Sequence, residues 1–357
     1  MYVDLGALGS CGLQRFQSLK TDAVRAVTER FHESHGSTYE DFGARGRESC
    51  REDLAYHLEF LQPVLEFGLL QPMVDYLRWL ASVLAARLIP VDHIALSLDL
   101  LAAFFAEHMN AEDGAVVSAA LGAARKQFLE ADNATAPSLS EPWPEVAEFE
   151  SALLAGQYGK ALSIVNQCID SGRNLVDVEQ HMVRPSLYHI GEKWQANQCT
   201  VASEHLATAI AQSVMTMGLL RSPPPEPVDK RVLLACVAGN EHSLGLRIVA
   251  DAFQLAGWDV QYLAANVPTS AVVGQVADWK PDLVGLSVSF AQQLRVVKQV
   301  IQQLGERFGA GRPAVIIGGL AINRFHRLAE MVGADAYSPD ALSAVATARQ
   351  LVSGQRV

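Results

Sequence analysis

The chain is short of several features that would classify it at once. It has no basic excess: 28 Lys and Arg face 39 Asp and Glu, for a formal charge of −11. A broad cationic face for gripping a nucleic-acid backbone is therefore not expected. Its five cysteines are odd in number and include no C-x-x-C pair, which argues against a disulfide framework and for a reducing compartment. No apolar run approaches the ~20 residues of a membrane span, and no basic stretch leads into an apolar one at the start. A cytoplasmic protein with neither membrane nor direct nucleic-acid partner is the expectation. Internal repeats and low-complexity tracts are also lacking. What is present is apolar bulk, half of 357 residues, enough for two or three buried cores.

Two proline-rich breaks divide the chain, one at Ala136–Pro144 and one at Ser222–Pro227. Beyond the second, short apolar runs alternate with amphipathic ones. The pattern predicts strands near 231–237, 259–263, 282–289, 313–317 and 334–338, and helices near 243–256, 270–279, 292–307, 322–332 and 340–353. Alternation of this kind gives a parallel sheet covered on both faces, with ligands beyond the carboxyl ends of the strands. The first strand runs into Gly239-Asn240-Glu241-His242-Ser243-Leu244-Gly245. A phosphate cradle would need glycines where backbone amides approach the pyrophosphate. Here an imidazole stands at the centre, the mark of a metal ligand. Ser287 and Ser289 close the third strand and Gly318-Gly319 follow the fourth, so three features meet at one edge. A flavodoxin-like domain with an incidental loop histidine is the plainer alternative.

The loop resembles the D-x-H-x-x-G loop of cobalamin-binding domains, with Asn240 for the usual Asp; Ser287 and the glycine pair resemble their G-x-S-x-L and Gly-Gly segments, with Ser289 for the customary Leu. The resemblance implies that His242 is the lower cobalt ligand, a neutral imidazole displacing the cofactor's own base. Asn240 would accept from the imidazole N–H without a charge, giving a weaker push than Asp. Ser287, Gly318 and Gly319 would leave room for the nucleotide tail, and Gly245 is the closing glycine of the cofactor-binding loop.

Residues 145–221 read as helices. Leu153, Leu154, Tyr158, Ala161, Leu162 and Val165 recur about once per turn, Arg173-Asn174 breaks the pattern, and Thr200 caps a long helix from 202 to 220. Trp194, nine residues, then Glu204-His205 is the distinctive spacing. A core Trp and a helix-start pair would be the bland account. With Arg184-Pro185 and Gly191, the set resembles the B12-dependent photoreceptors of the carotenoid-gene repressor type. That resemblance implies Trp194, Glu204 and His205 above adenosylcobalamin. It also implies a cobalt ligand for the light-exposed state beside the Trp, but the next residue is Gln195, so either no protein ligand replaces the adenosyl group or another histidine does, His205 first and His189 second.

Before residue 140, helical periodicity dominates, with Leu54, Leu58, Leu61 and Leu65 on one stripe. Tyr39, Arg45, Arg47, Arg51, Tyr56, His57, Tyr76, Arg78, Trp79 and Arg87 stand among the apolar positions. Guanidinium forks suit the propionates of a tetrapyrrole, with Arg47, Arg51 and Arg78 for that role and His57 for its pyrrole nitrogens or carbonyls. A solvated face on a dimerisation bundle is the alternative. An all-helical domain joined to a light-type cobalamin unit resembles the photocobilins, which implies biliverdin as a second pigment.

The expected protein is thus multidomain: an all-α N-terminal domain (1–140), a four-helix-bundle cap (145–221) and an α/β flavodoxin-like (Rossmann-type) cobalamin-binding domain (230–357). It would be a light sensor without turnover, a homo-oligomer acting on an effector protein. A corrinoid methyl carrier and a B12 sensor with a helical interaction domain are the rivals. A mutase lacks the ~250 residues of its TIM barrel.

Overall fold

The computed structural model describes residues 7–36, 43–130, 141–325 and 327–353. Packing divides the chain into two units, Met1–Ala136 and Pro137–Val357. Tyr39 and Ala136–Ser140 lie outside the described residues.

The described part of the first unit is built of helices: α1 (Ser10–His35), α2 (Gly43–Phe67), α3 (Leu70–Ala85), α4 (Asp92–His108) and α5 (Ala111–Glu130). The Leu54, Leu58, Leu61, Leu65 stripe of α2 is fully buried, and Phe16 of α1 packs on Phe105 of α4 with ring centroids 5.0 Å apart. His57 sits inside this core. Its Nδ1 pairs with the Tyr76 hydroxyl at 2.9 Å and its Nε2 with Ser97 Oγ at 3.0 Å, tying α2 to α3 and α4. Burial pushes the imidazole down to about 4, so it is neutral at ordinary pH and satisfied on both nitrogens.

The second unit begins with α6 (Val146–Leu154) and α7 (Tyr158–Asp170). Next comes α8 (Leu175–Val178), which passes through a π-helical turn, Glu179–Val183, into α9 (Arg184–Gln195); α10 (Val201–Arg221) follows. Thr200 caps α10, its Oγ1 accepting from the Ser203 N–H at 3.1 Å. Then come β1 (Arg231–Cys236), α11 (Leu244–Leu255), β2 (Asp259–Tyr262), α12 (Thr269–Trp279), β3 (Leu283–Ser287), α13 (Leu294–Phe308), β4 (Ala314–Gly318), α14 (Leu320–Arg324), α15 (Arg327–Val332), β5 (Ala336–Tyr337) and α16 (Ala341–Val352). All strand pairs are parallel, in the order β2-β1-β3-β4-β5. The direction of winding reverses between β1 and β3, so loops leaving those strands diverge and open a crevice at their carboxyl ends. One apolar cluster joins Phe149, Val165 and Val214 of the helical segment to Val232, Leu234 and Phe253 of the α/β part.

Two elements differ from the periodicity. The third strand was expected to reach 289 and ends at Ser287, because the Ser289 N–H turns to the Gln293 side chain instead of a neighbouring strand. The helix expected over 322–332 is two pieces, parted where Phe325 takes an extended φ of −136°. Neither event changes the spacing of apolar residues.

The His57 network gives the first prediction. In His57→Leu, the Tyr76 and Ser97 hydroxyls lose their shared partner in a dry core, and the first unit should lose about 2–4 kcal/mol. Urea unfolding followed by circular dichroism checks this; a loss within about 0.5 kcal/mol would contradict it.

Candidate functional site

The strand register assembles the site. Cys236, Ser287 and Gly318 are direct partners across β1, β3 and β4, so the segments leaving these three strands start side by side. The loop from β1 to α11 has no regular structure of its own, and three amide side chains hold it. Asn266 Oδ1 accepts from the Gly239 N–H at 2.8 Å. Gln293 Nε2 donates to the Gly239 carbonyl at 2.7 Å, while its Oε1 accepts from the amides of Ser289 and Phe290 at 2.9 and 3.1 Å. Asn240, fully buried, donates Nδ2 to the Ser287 carbonyl at 2.9 Å and accepts from the His242 backbone N–H at 3.1 Å.

Asn240 therefore differs from the expectation of a bond to the imidazole. Its oxygen takes the His242 main-chain N–H and its nitrogen spans to β3. The residue shapes the loop that carries the ring. A carboxylate in the same pose would face the Ser287 carbonyl, acceptor against acceptor.

His242 is exposed, at the rim of this crevice. The edge of Phe290 meets its ring, with centroids 5.3 Å apart and planes at 80°. Desolvation by the surrounding protein lowers its pKa, partly offset by the charges of Glu204 and Glu241, so the neutral imidazole, the form that ligates metal, prevails near neutral pH. Glu204 belongs to α10. Its charge acts on His242, so Glu204 lies near the histidine loop. Glu204 accepts from Thr208 Oγ1 at 3.0 Å and pairs with His205 Nδ1 at 2.6 Å, leaving the other nitrogen of an exposed ring free of that contact. Trp194 lies half-buried near the end of α9. On the same helix, Glu150 of α6 holds His189 through Nδ1 at 3.3 Å and also pairs with Lys193.

The glycines divide into two kinds. A Cβ on Gly318 would lie 2.9 Å from the Ser338 carbonyl oxygen, and one on Gly319, at φ +103°, would lie 2.4 Å from that of Val288. The pair is thus required by backbone packing. Gly245 and Gly191 are different, since a Cβ on either would meet nothing within 4 Å. Open space at the start of α11, beside His242, suits the close approach of a bulky group.

Among the described residues, no three His, Cys, Asp or Glu side chains are placed to hold a metal ion. One presented imidazole suits a metal that arrives with its equatorial ligands already in a macrocycle. Such a group fits this donor set.

In the first unit, Arg47 and Arg51 stand exposed one turn apart on α2, Arg51 pairing with Glu48 at 3.4 Å. Arg78 is half-buried on α3 beside Asp75 at 4.0 Å. His57 stays in the core with both nitrogens engaged. No local pattern marks Gln293. Asn266 adopts φ +55°, a conformation asparagine tolerates.

A parallel α/β crevice with a lone imidazole at its switch point, beside helices, defines a macrocycle-binding class. Two family models, each described as a B12 binding domain, match residues 146–217 and 230–346. The dimethylamine corrinoid protein of Methanosarcina barkeri is 30% identical over 150 residues, 40% of this chain and 70% of that protein. The HTH-type transcriptional repressor CarA of Myxococcus xanthus is 28% identical over 195 residues, 54% of this chain and 64% of the repressor. A solved monomethylamine corrinoid protein of Methanosarcina barkeri aligns over 57% of this chain and 96% of its own, at 19% identity and a TM-score of 0.49. The chain belongs to the B12-binding family. It spans 64% of the repressor's length, and among its described residues no helix is long and apolar enough to cross a membrane.

The contrast between glycines is testable. Gly319→Ala should cost on the order of 2 kcal/mol or more through strain and backbone clash. Gly245→Ala should leave stability within about 1 kcal/mol. Denaturant melts check both, and equal costs would contradict the division.

Proposed function

We propose that the protein is a light sensor that binds adenosylcobalamin with His242 as the lower axial ligand. The observation that carries this reading is the His242 loop at the carboxyl end of β1, held in place by Asn240 and Asn266, and the charge of Glu204 acting on that histidine supports placing the Glu-His pair of α10 beside it. When bound, adenosylcobalamin would supply a cobalt–carbon bond that light can break. The chain's own residues bind and enclose it. His242 offers a neutral nitrogen on a rigid loop, and Ser287, Ser289, Gly318 and Gly319 form the edge along which the nucleotide tail would run. Gly245 leaves the approach clear. Trp194 presents an indole, wide enough to lie against an adenosyl group, with Glu204 and His205 beside it, in a four-helix cap over residues 145–221. Photolysis would remove the group those three residues hold, and the cap or subunit packing would change. Of the replacement ligands, His205 and His189 each have Nδ1 engaged by a carboxylate, an arrangement that orients the other nitrogen.

The first unit is proposed to hold a bilin such as biliverdin. Support comes from Arg47 and Arg51 one turn apart, Arg78 on the next helix, and an aromatic run in which Phe60 stacks on Tyr76 at 4.0 Å and leads to the exposed Trp79. His57 would contribute through the helices it ties together. The output is read as a light-dependent change of homo-oligomer acting on an effector protein in the cytoplasm, without turnover and without direct DNA contact. The second reading is a corrinoid methyl carrier, favoured by the identity to a dimethylamine corrinoid protein. Trp194 and Glu204-His205 weigh against it, since a carrier exposes a small ligand to a substrate.

Full-length protein should bind adenosylcobalamin in preference to methylcobalamin by about tenfold or more, ~1.4 kcal/mol, and green light should convert its spectrum to a stable new form. Trp194→Ala should erase the preference. Dark methyl transfer with a light-insensitive spectrum would establish the carrier instead.

Co-expression of the full chain with a haem oxygenase should yield a red-absorbing pigment, diminished when Arg47 and Arg51 are replaced by Ala. Colourless protein would leave a B12 sensor with a helical interaction domain.

A further inference from the structure

The π-helical turn between α8 and α9 carries chemistry that the cobalamin reading does not use. Such turns break the regular helical ladder and recur at functional places. This one puts Glu179 wholly out of water, its carboxyl meeting that of Asp251 on α11, which is 2% exposed. Arg247, one turn back on α11, donates its Nε to Asp251 Oδ1 at 2.7 Å. Among the described residues no donor reaches either oxygen of Glu179 or Oδ2 of Asp251. One guanidinium thus stands beside two buried carboxyls, and two facing carboxylates cannot both stay ionised without water.

We propose that Glu179 and Asp251 share a single proton across the seam between the helical segment and α11, and that this proton latches the π-helical turn onto the helix leading out of the His242 loop. The Glu179 O–H donates to Asp251 Oδ2, and Arg247 neutralises the remaining charge. Desolvation, then the neighbouring Asp251, push the Glu179 carboxyl well above the usual range. Burial also raises Asp251, with Arg247 pulling it back, so the proton resides on Glu179. Tyr262 of β2 is a further titratable group nearby: burial raises its hydroxyl, with Asp251 adding a smaller push, and that hydroxyl donates to the Ser243 carbonyl at 3.0 Å.

The latch works in one direction. When the seam opens, water reaches both carboxyls, each ionises near neutral pH, and one proton passes to solvent. Because the seated pKa of Glu179 lies above its solvated value, the latch is complete below the ordinary carboxylate range and weakens as pH rises through the seated value. The turn also grips its other side. His181 stacks on Trp143, with centroids 5.4 Å apart and planes at 9°, and the Trp143 N–H donates to the His181 carbonyl at 3.1 Å. The Arg173 guanidinium lies 4.1 Å from the same indole. Trp143 stands in the segment that follows the first proline-rich break. Releasing the latch therefore loosens, together, the helix after the His242 loop and the packing of Trp143 on the turn. Only the event that opens it rests on the cobalamin reading; the shared proton does not.

Infrared spectroscopy of the full chain without cobalamin, at a pH above the value of about 6 to which burial raises Asp53, tests the proton. Wild type should show a carboxylic-acid carbonyl band that shifts in D2O and is missing from Glu179→Gln. Asp251→Asn should also abolish it, because an amide N–H then meets an ionised Glu179; this variant serves if the first does not fold. Hydrogen exchange in α11 and residues 179–183 should lose protection with rising pH in wild type and stay flat in Glu179→Gln, whose amide donates at every pH. No acid band in wild type, or parallel pH profiles, would overturn the proposal. No cobalamin is added in either measurement, so failure here is separate from failure of the cofactor reading.

Discussion

The structure of the site depends on how a loop without secondary structure is kept rigid at the edge of a sheet. Beyond the Val237–Val267 bridge the chain as far as Leu244 belongs to no strand or helix, yet the imidazole of His242 must be presented in one place. Asn240, Asn266 and Gln293 supply the missing order by giving donors and acceptors to backbone groups of the loop and of the β3 exit. Each is neutral, so the loop stays fixed without burying a charge. The Gly318-Gly319 pair serves the same end from β4, letting backbone pass against Val288 and Ser338.

This neutrality sets the electrostatics of the crevice. With the amide of Asn240 committed to backbone at both ends, the charges that act on His242 come from Glu204 on α10 and Glu241 beside it. The imidazole is thereby biased toward its ligating form by desolvation and receives its acidic influence from the helical segment. Glu204 on the helical segment and His242 on the loop leaving the sheet are thus linked through a field.

Much of the α/β part was legible because each strand is a short apolar run, and runs of that kind survive any detail of register. His242 was legible for a related reason, since a strand followed by Gly-Asn-Glu-His can end only at the sheet edge. What escaped was made by tertiary meetings. Gln293 reaches Gly239 across 54 residues, and Asn266 reaches it across 27, separations that no local pattern marks. Asn240 was assigned to the ring because residue type gives a side chain's capacity, whereas its choice of partner depends on where Ser287 ends its strand. The π-helical turn escaped because one inserted residue barely disturbs a 3.6-residue period, and its buried Glu179 looks like any polar position until Asp251 is opposite it. In the first unit, residue type suits His57 to the pyrrole nitrogens or carbonyls of a tetrapyrrole, whereas the core holds it because Tyr76 and Ser97 satisfy both nitrogens.

The central claim, that a side-chain imidazole of this chain becomes the lower ligand of cobalt, is tested most directly by electron paramagnetic resonance. Protein labelled with nitrogen-15 in histidine alone would be loaded with unlabelled cobalamin and reduced to the cobalt(II) state. Ligation by His242 predicts that each high-field cobalt line splits into a doublet, the signature of a nitrogen-15 nucleus on the axis. Triplets, arising from the nitrogen-14 of the cofactor's own base, would contradict the account.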